Sequence, residues 1–145
     1  VRYLVDYVSS LYKGQVLETI LQDVLDTPVS PELLPQEDDK IVQKTEDIVG
    51  PYELHDFFIY HMVRFGDEPR KLYKKTKLAF KDKYDKDTIK KWLRLFYWRF
   101  FSQQFKRSCI PDGPKVGSVA LSPRGDWRMP SDANVQIWLD EVEKI

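Results

Sequence analysis

Residues 85–107, DKDTIKKWLRLFYWRFFSQQFKR, predict the longest helix of the chain. Asp85 or Asp87 is placed to cap its start, because a short carboxylate side chain can accept from the exposed N–H groups of a first turn. Pro111, Gly113 and Pro114 end whatever helix precedes them. At 100° per residue, Trp92, Phe96, Arg99, Gln103 and Lys106 fall within about 80° of one another. One stripe therefore changes from apolar to cationic along the helix. Either it leaves a core and presents cations to a cleft, or Arg99 and Lys106 run their stems to solvent; the pattern alone favours the second.

Other helices flank this one. Residues 1–12 are apolar from the first, and Gly14 suits the position just past a helix end. Residues 15–26 carry Val16, Leu17, Ile20, Leu21, Val24 and Leu25 at helical spacing. Pro28, Pro31 and Pro35 then predict an extended loop. Pro51 opens a helix over 51–65, with Glu53 in the first turn where the helix dipole favours a carboxylate. Pro69 starts another over 68–81, carrying Leu72, Leu78 and Ala79. A short helix is expected at about 135–142. Residues 108–134 form an irregular segment with room for a short strand at 118–121; its Val116, Val119, Ala120, Leu121 and Trp127 argue against disorder. No alternating run is long enough to build a sheet, so the isolated chain reads as all-α.

The 145 residues, 42% hydrophobic and 14% aromatic, suit one domain with a substantial core. No apolar run approaches the ~20 residues of a membrane span, and no secretory signal opens the chain. Cys109 is the only cysteine, which excludes an internal disulfide and a cysteine-cluster metal site and fits a reducing cytoplasm. Net charge is zero but bipolar. Residues 18–56 hold eleven acidic against two basic side chains, and residues 70–91 hold ten basic against three acidic. Such a map suits self-association or a face that meets an anion. Val1 opens inside an apolar helix without a cap or an initiating Met, so the chain is expected to be a piece of a larger domain.

Several residues have two readings. Tyr73, Phe80 and Tyr84 among lysines could stack on bases, but an amphipathic helix with a solvated basic face explains them as well, and the neutral total charge favours it. His55 and His61, six apart on a helix, lie about 120° from one another and cannot share one metal. His55 beside Asp56 has no nucleophile to serve, so structural roles are expected for both histidines. Arg124, Asp126 and Arg128 around Trp127 either clamp a ligand or brace the segment, with bracing favoured. Cys109 has no adjacent base.

Three runs together carry a resemblance: DTPVSPELLP (residues 26–35), KTEDIVGPYELHDFF (44–58) and QFKRSCIPDGPKVGSVALSPRGDWRMPSDA (104–133). In this order they resemble the end of the synthetase domain of bacterial glutamine-dependent NAD(+) synthetases. The resemblance implies that the chain is the helical C-terminal part of a larger α/β, Rossmann-like (adenine nucleotide alpha hydrolase-like) domain. It implies an enzyme that adenylates deamido-NAD with ATP and Mg²⁺ and then accepts glutamine-derived ammonia. Lys106, within Phe105-Lys106-Arg107, would contact deamido-NAD, a task that suits a flexible point charge. Related ammonia-dependent enzymes have His where this chain has Phe105, so a side-chain contact from position 105 is not carried over.

Ser30, in Ser30-Pro31-Glu32-Leu33, would lie at the ATP site; from the residues alone a turn serine between prolines is an equal reading. The chain contains no glycine-rich phosphate cradle, no pyrophosphatase loop and no Glu–Lys–Cys amidase set. It is therefore expected to hold no catalytic residue and no metal ligand, to be inactive alone, and to supply a substrate-site wall and a surface for a homo-oligomer, most simply a dimer. No nucleic acid or membrane partner is implied. The alternative is a non-enzymatic helical interaction module.

Overall fold

The computed structural model describes residues 2–27, 45–115 and 117–145, and among them the secondary structure is entirely helical. The helices are α1 (Arg2–Leu11), α2 (Val16–Asp26), α3 (Thr45–Val49), α4 (Tyr52–Phe65), α5 (Pro69–Ala79), α6 (Lys86–Ser102), α7 (Gln104–Ser108) and α8 (Gln136–Glu143). No described helix is long and apolar enough to cross a membrane. The chain divides into two compact units, Val1–Ile48 and Val49–Ile145.

In the first unit α1 and α2 form an antiparallel hairpin. Gly14 turns the chain at φ 77°, a left-handed conformation that glycine adopts without a Cβ penalty, and its N–H donates to Glu18 Oε2 at 2.6 Å. The Arg2 guanidinium donates to the Leu25 carbonyl at 2.6 Å, and Gln22 Nε2 donates to Ser9 Oγ at 2.9 Å. Ser9 is the only buried residue of α1, and α2 has none. Val5, Val8, Leu21 and Leu25 are half-buried, while the remaining apolar side chains of both helices are exposed, led by Tyr3 at 90% and Val16 at 78%.

The second unit has a closed core with α6 in the middle, packed by α4, α5 and α8. Asp85 caps α6: its carboxylate accepts from the Thr88 N–H and the Thr88 hydroxyl, both at 2.8 Å. These bonds hold its carboxyl below the usual range. Leu54, Phe58 and Met62 of α4 meet Ile89, Leu93, Phe96, Tyr97, Phe100 and Phe101 of α6 in one buried cluster. α8 adds Leu139 and Val142, and the Trp138 ring stacks on Tyr97 at 5.6 Å and 3°.

Tyr97 and Phe101 therefore belong to the core, although the sequence places them off the stripe that begins at Trp92. α6 is buried on more than one face because α8 returns to cover it. Along α5 the buried row is Pro69, Leu72, Tyr73 and Thr76, while Leu78 is 77% exposed. The expected apolar side of this helix is thus rotated toward Tyr73. Gly50 is buried at φ 92°, and a Cβ there would stand 2.5 Å from the Trp92 ring, so both conformation and space require glycine.

Two further expectations are corrected. Residues 86–107 are not one helix: α6 stops at Ser102, and Gln103 at φ −109°, ψ 22° separates it from α7. Ser102 Oγ donates back to the Trp98 carbonyl at 2.6 Å, a side-chain bond that bends helices. The angular stripe consequently ends at Gln103, and Lys106 sits on a helix of its own. Residues 118–121 form no strand.

Candidate functional site

α7 and the irregular segment after it make the most elaborately braced surface region of the second unit. The Gln104 side chain is buried within it. Its Oε1 accepts from Arg107 Nε at 2.8 Å, and its Nε2 donates to the Met129 carbonyl at 3.3 Å. Arg107 lies over the Phe100 ring at 4.1 Å and donates Nη2–H to the Phe100 carbonyl in the last turn of α6. A cation there meets the negative end of the helix dipole. Burial pulls the Arg107 pKa below its ordinary value. Phe100 in turn meets Trp127 edge to face at 5.3 Å.

The far end of α7 is held by Arg124. Its Nη1 donates to the Ser108 carbonyl at 3.1 Å, its Nη2 to the Ile110 carbonyl, and its Nε to Asp112 Oδ1 at 3.1 Å. Asp126 accepts from the Ala120 N–H at 2.8 Å and from Lys115 Nζ at 2.7 Å. Those bonds, Lys115 first, hold its carboxyl below the usual range. Arg124 and Asp126 therefore brace the segment, while Arg128 is exposed. Leu121, Trp127, Met129 and Ala133 pack on the core beneath.

Lys106 projects from this braced turn. It is exposed, and its ammonium has no hydrogen bond or ion pair among the described residues. Phe105 beside it is 54% exposed, and the exposed Cys109 donates its S–H to the Phe105 carbonyl at 3.5 Å. An unpaired ammonium at a fixed backbone position can meet a phosphate or carboxylate without first breaking a contact. Ser30 lies outside the described residues.

Other candidates have structural partners. His55 donates Nε2–H to the Val49 carbonyl and packs on Phe58 and Phe96, each at 6.0 Å between ring centres; burial lowers its pKa. His61 Nδ1 stands 3.1 Å from Asp67 Oδ2. Asp67, fully buried, is paired with Lys71 at 2.7 Å and with Lys75. Burial alone would raise its carboxyl, but the hydrogen bonds and charges of the two lysines outweigh this and hold it at about 2. Tyr73 is buried, Phe80 packs edge-on against Phe57 at 5.4 Å, and the Tyr84 hydroxyl donates to Glu53, so none of the three is free to stack on a base. No cluster of three or more His, Cys, Asp or Glu side chains that could hold a metal is assembled among the described residues.

Gln104 carries no signal in the sequence that marks it for a site, whereas the bracing role expected of Arg124 is the one it has. Gln104 reads as an ordinary polar helix residue, and its partner Met129 is 25 positions away. Nothing local directs Arg124 to the particular carbonyls it holds, 14 and 16 positions earlier.

No family model matches the chain. Among curated proteins, the glutamine-dependent NAD(+) synthetase of Mycobacterium leprae (strain TN) is 42% identical over 99% of the chain. Those of Mycobacterium bovis and Mycobacterium tuberculosis are each 38% identical over the same share. In each case the chain spans only 24% of the relative's length. Along nearly all of its length the chain is therefore similar to glutamine-dependent NAD(+) synthetases, and it spans about a quarter of their length.

Proposed function

We propose that the protein carrying this chain makes NAD by ATP-dependent amidation of deamido-NAD, using glutamine-derived ammonia, and that the chain forms one wall of the deamido-NAD site. The observation that carries the proposal is identity of 38–42% to proteins of that name across 99% of the chain. The exposed, unpaired Lys106 on a turn held at both ends supports its role as an anion contact. Ser30 is proposed at the ATP site on resemblance alone. Mg²⁺ would enter with ATP and be held by groups outside the described residues. The sequence has no glycine-rich phosphate-binding motif, so the part proposed for the chain is to bind and orient substrate, and alone it would form no NAD. The protein would act in the cytoplasm as a homo-oligomer. The outward apolar rows of α1 and α2 support a covered surface there, since large exposed apolar patches seldom persist on soluble monomers.

The test is steady-state kinetics of the full-length protein. Lys106→Ala is expected to lower kcat/KM for deamido-NAD about tenfold to a hundredfold, the equivalent of one charge-assisted contact worth about 1.5–3 kcal/mol. The KM for ATP should stay near its starting value. Lys106→Arg should recover part of the loss, because a planar fork replaces a point charge. Unchanged kinetics in the alanine variant would make Lys106 a solvated surface lysine.

A further inference from the structure

α7 is a single helical turn of five residues. A segment that short cannot hold its own geometry in water, because helix nucleation is unfavourable and few backbone bonds offset it. Its direction must come from side chains that tie it to distant parts of the chain, and the structure contains such ties at both ends. At the N-terminal end, Gln104, 1% exposed, uses one amide to reach two partners: Arg107 on the same turn and the Met129 carbonyl on the returning segment. At the C-terminal end, Arg124 gathers the Ser108 and Ile110 carbonyls. Between them stands Lys106, whose ammonium has no hydrogen bond or ion pair among the described residues.

We propose that Gln104 is a positioning residue for Lys106, acting together with Arg124: the two ties set the orientation of α7, and with it where the lysine charge meets the anionic substrate. This rests on the reading of Lys106 given above. An apolar side chain at 104 would fill the same space without specifying a direction. The amide supplies both a donor and an acceptor: the donor ties α7 to the Met129 carbonyl, and the acceptor holds Arg107 within α7, where the Arg107 Nη2–H in turn donates to the Phe100 carbonyl of α6. Placement matters because displacement of a binding group by about 1 Å can cost about a hundredfold in rate.

The test is a double-mutant cycle in the full-length protein, with deamido-NAD and ATP varied separately. Gln104→Met keeps the volume and removes both bonds. It is expected to raise the KM for deamido-NAD about fivefold to tenfold, comparable to the loss of a single hydrogen bond, with the KM for ATP unchanged. Gln104→Glu keeps the acceptor for Arg107 and loses the donor to Met129, so an intermediate rise is expected. In a Lys106→Ala background Gln104→Met should add nothing further, because its effect passes through the lysine.

Arg124→Ala, at a partly exposed side chain, repeats the test should Gln104→Met fail to fold, and should show the same dependence on Lys106. Effects that multiply with that of Lys106→Ala, or equal losses toward ATP, would make both ties merely structural and overturn the inference. If Lys106→Ala raises the KM while neither Gln104→Met nor Arg124→Ala does, the inference alone falls. If Lys106→Ala changes nothing, the inference falls together with the site reading beneath it.

Discussion

The α1–α2 hairpin and the helices around α6 come from one chain with similar apolar content, yet they bury it in opposite ways. Among the described residues the core unit has thirteen buried apolar side chains, whereas Ser9 is the one buried residue of α1 and α2. Amphipathic periodicity is thus necessary for a helix but does not say what covers it. α6 is covered by three neighbouring helices of its own unit. The hairpin helices, of ten and eleven residues, are below the length at which isolated helices are stable in water, about 12–15 residues. Two side-chain bonds across the hairpin, Arg2 to Leu25 and Gln22 to Ser9, offset little of that.

Truncation separates the two regions most strongly. Phe58→Ala, at a fully buried ring in contact with Phe96, should destabilise the core unit by about 3–5 kcal/mol, and Leu93→Ala by about 2–5 kcal/mol. Tyr3→Ser or Val16→Ser should change it by less than about 0.5 kcal/mol. All four tryptophans, Trp92, Trp98, Trp127 and Trp138, lie in the second unit, so tryptophan fluorescence during urea unfolding reports that unit alone. A core truncation that left the midpoint in place would mean that the buried cluster is not what holds the unit together.

A smaller effect comes from pH. Asp67 has its carboxyl held at about 2 in the folded state, against an ordinary value of 3.8. Because the folded value is the lower one, the unfolded chain binds the proton first. The contribution is complete above about pH 4, shrinks as pH falls through the interval, and is gone below about 2. Lys71 is 63% exposed, so solvent screening reduces the contribution to about 1–2 kcal/mol. Unfolding midpoints at pH 6 and pH 2.5 should therefore converge for the native chain and Asp67→Asn as pH falls. A constant gap between them would place the value of Asp67 in packing rather than in charge. The hairpin has no comparable buried carboxylate, so this dependence belongs to the core unit.

The helical class was legible because long periodic runs, proline starts and the Asp85 cap are local signals. What covers each helix was not. Tyr97 and Phe101 lie off the Trp92 stripe, and nothing local marks them as core because their partner Trp138 arrives about 40 residues later, on a helix too short to announce its target. The interruption at Gln103 was missed for a similar reason: Ser102 and two glutamines are compatible with a continuing helix, and the buried network that draws in Gln104 is long-range. At the candidate site, Lys106 owed its prominence to resemblance, since its own pattern favoured solvent. The structure gives it an unpaired, braced position, while Ser30 lies outside the described residues.

The smallest expected energies belong to the hairpin, and native-state hydrogen exchange reads them directly. Amides of α6 should exchange only through unfolding of the core unit, with protection that reflects its full stability. In the 145-residue chain at high dilution, amides of α1 and α2 should exchange with protection of no more than about tenfold to a hundredfold, since little besides backbone bonds and two side-chain ties resists their opening. Raising the protein concentration, or measuring the same amides in the full-length protein, should increase hairpin protection if the outward rows of Tyr3, Leu4, Tyr7, Val16, Ile20 and Val24 become covered. Protection of α1 and α2 equal to that of α6 at high dilution would erase the contrast between the units, because it would require the hairpin to have a stabilising core that its exposed side chains do not form.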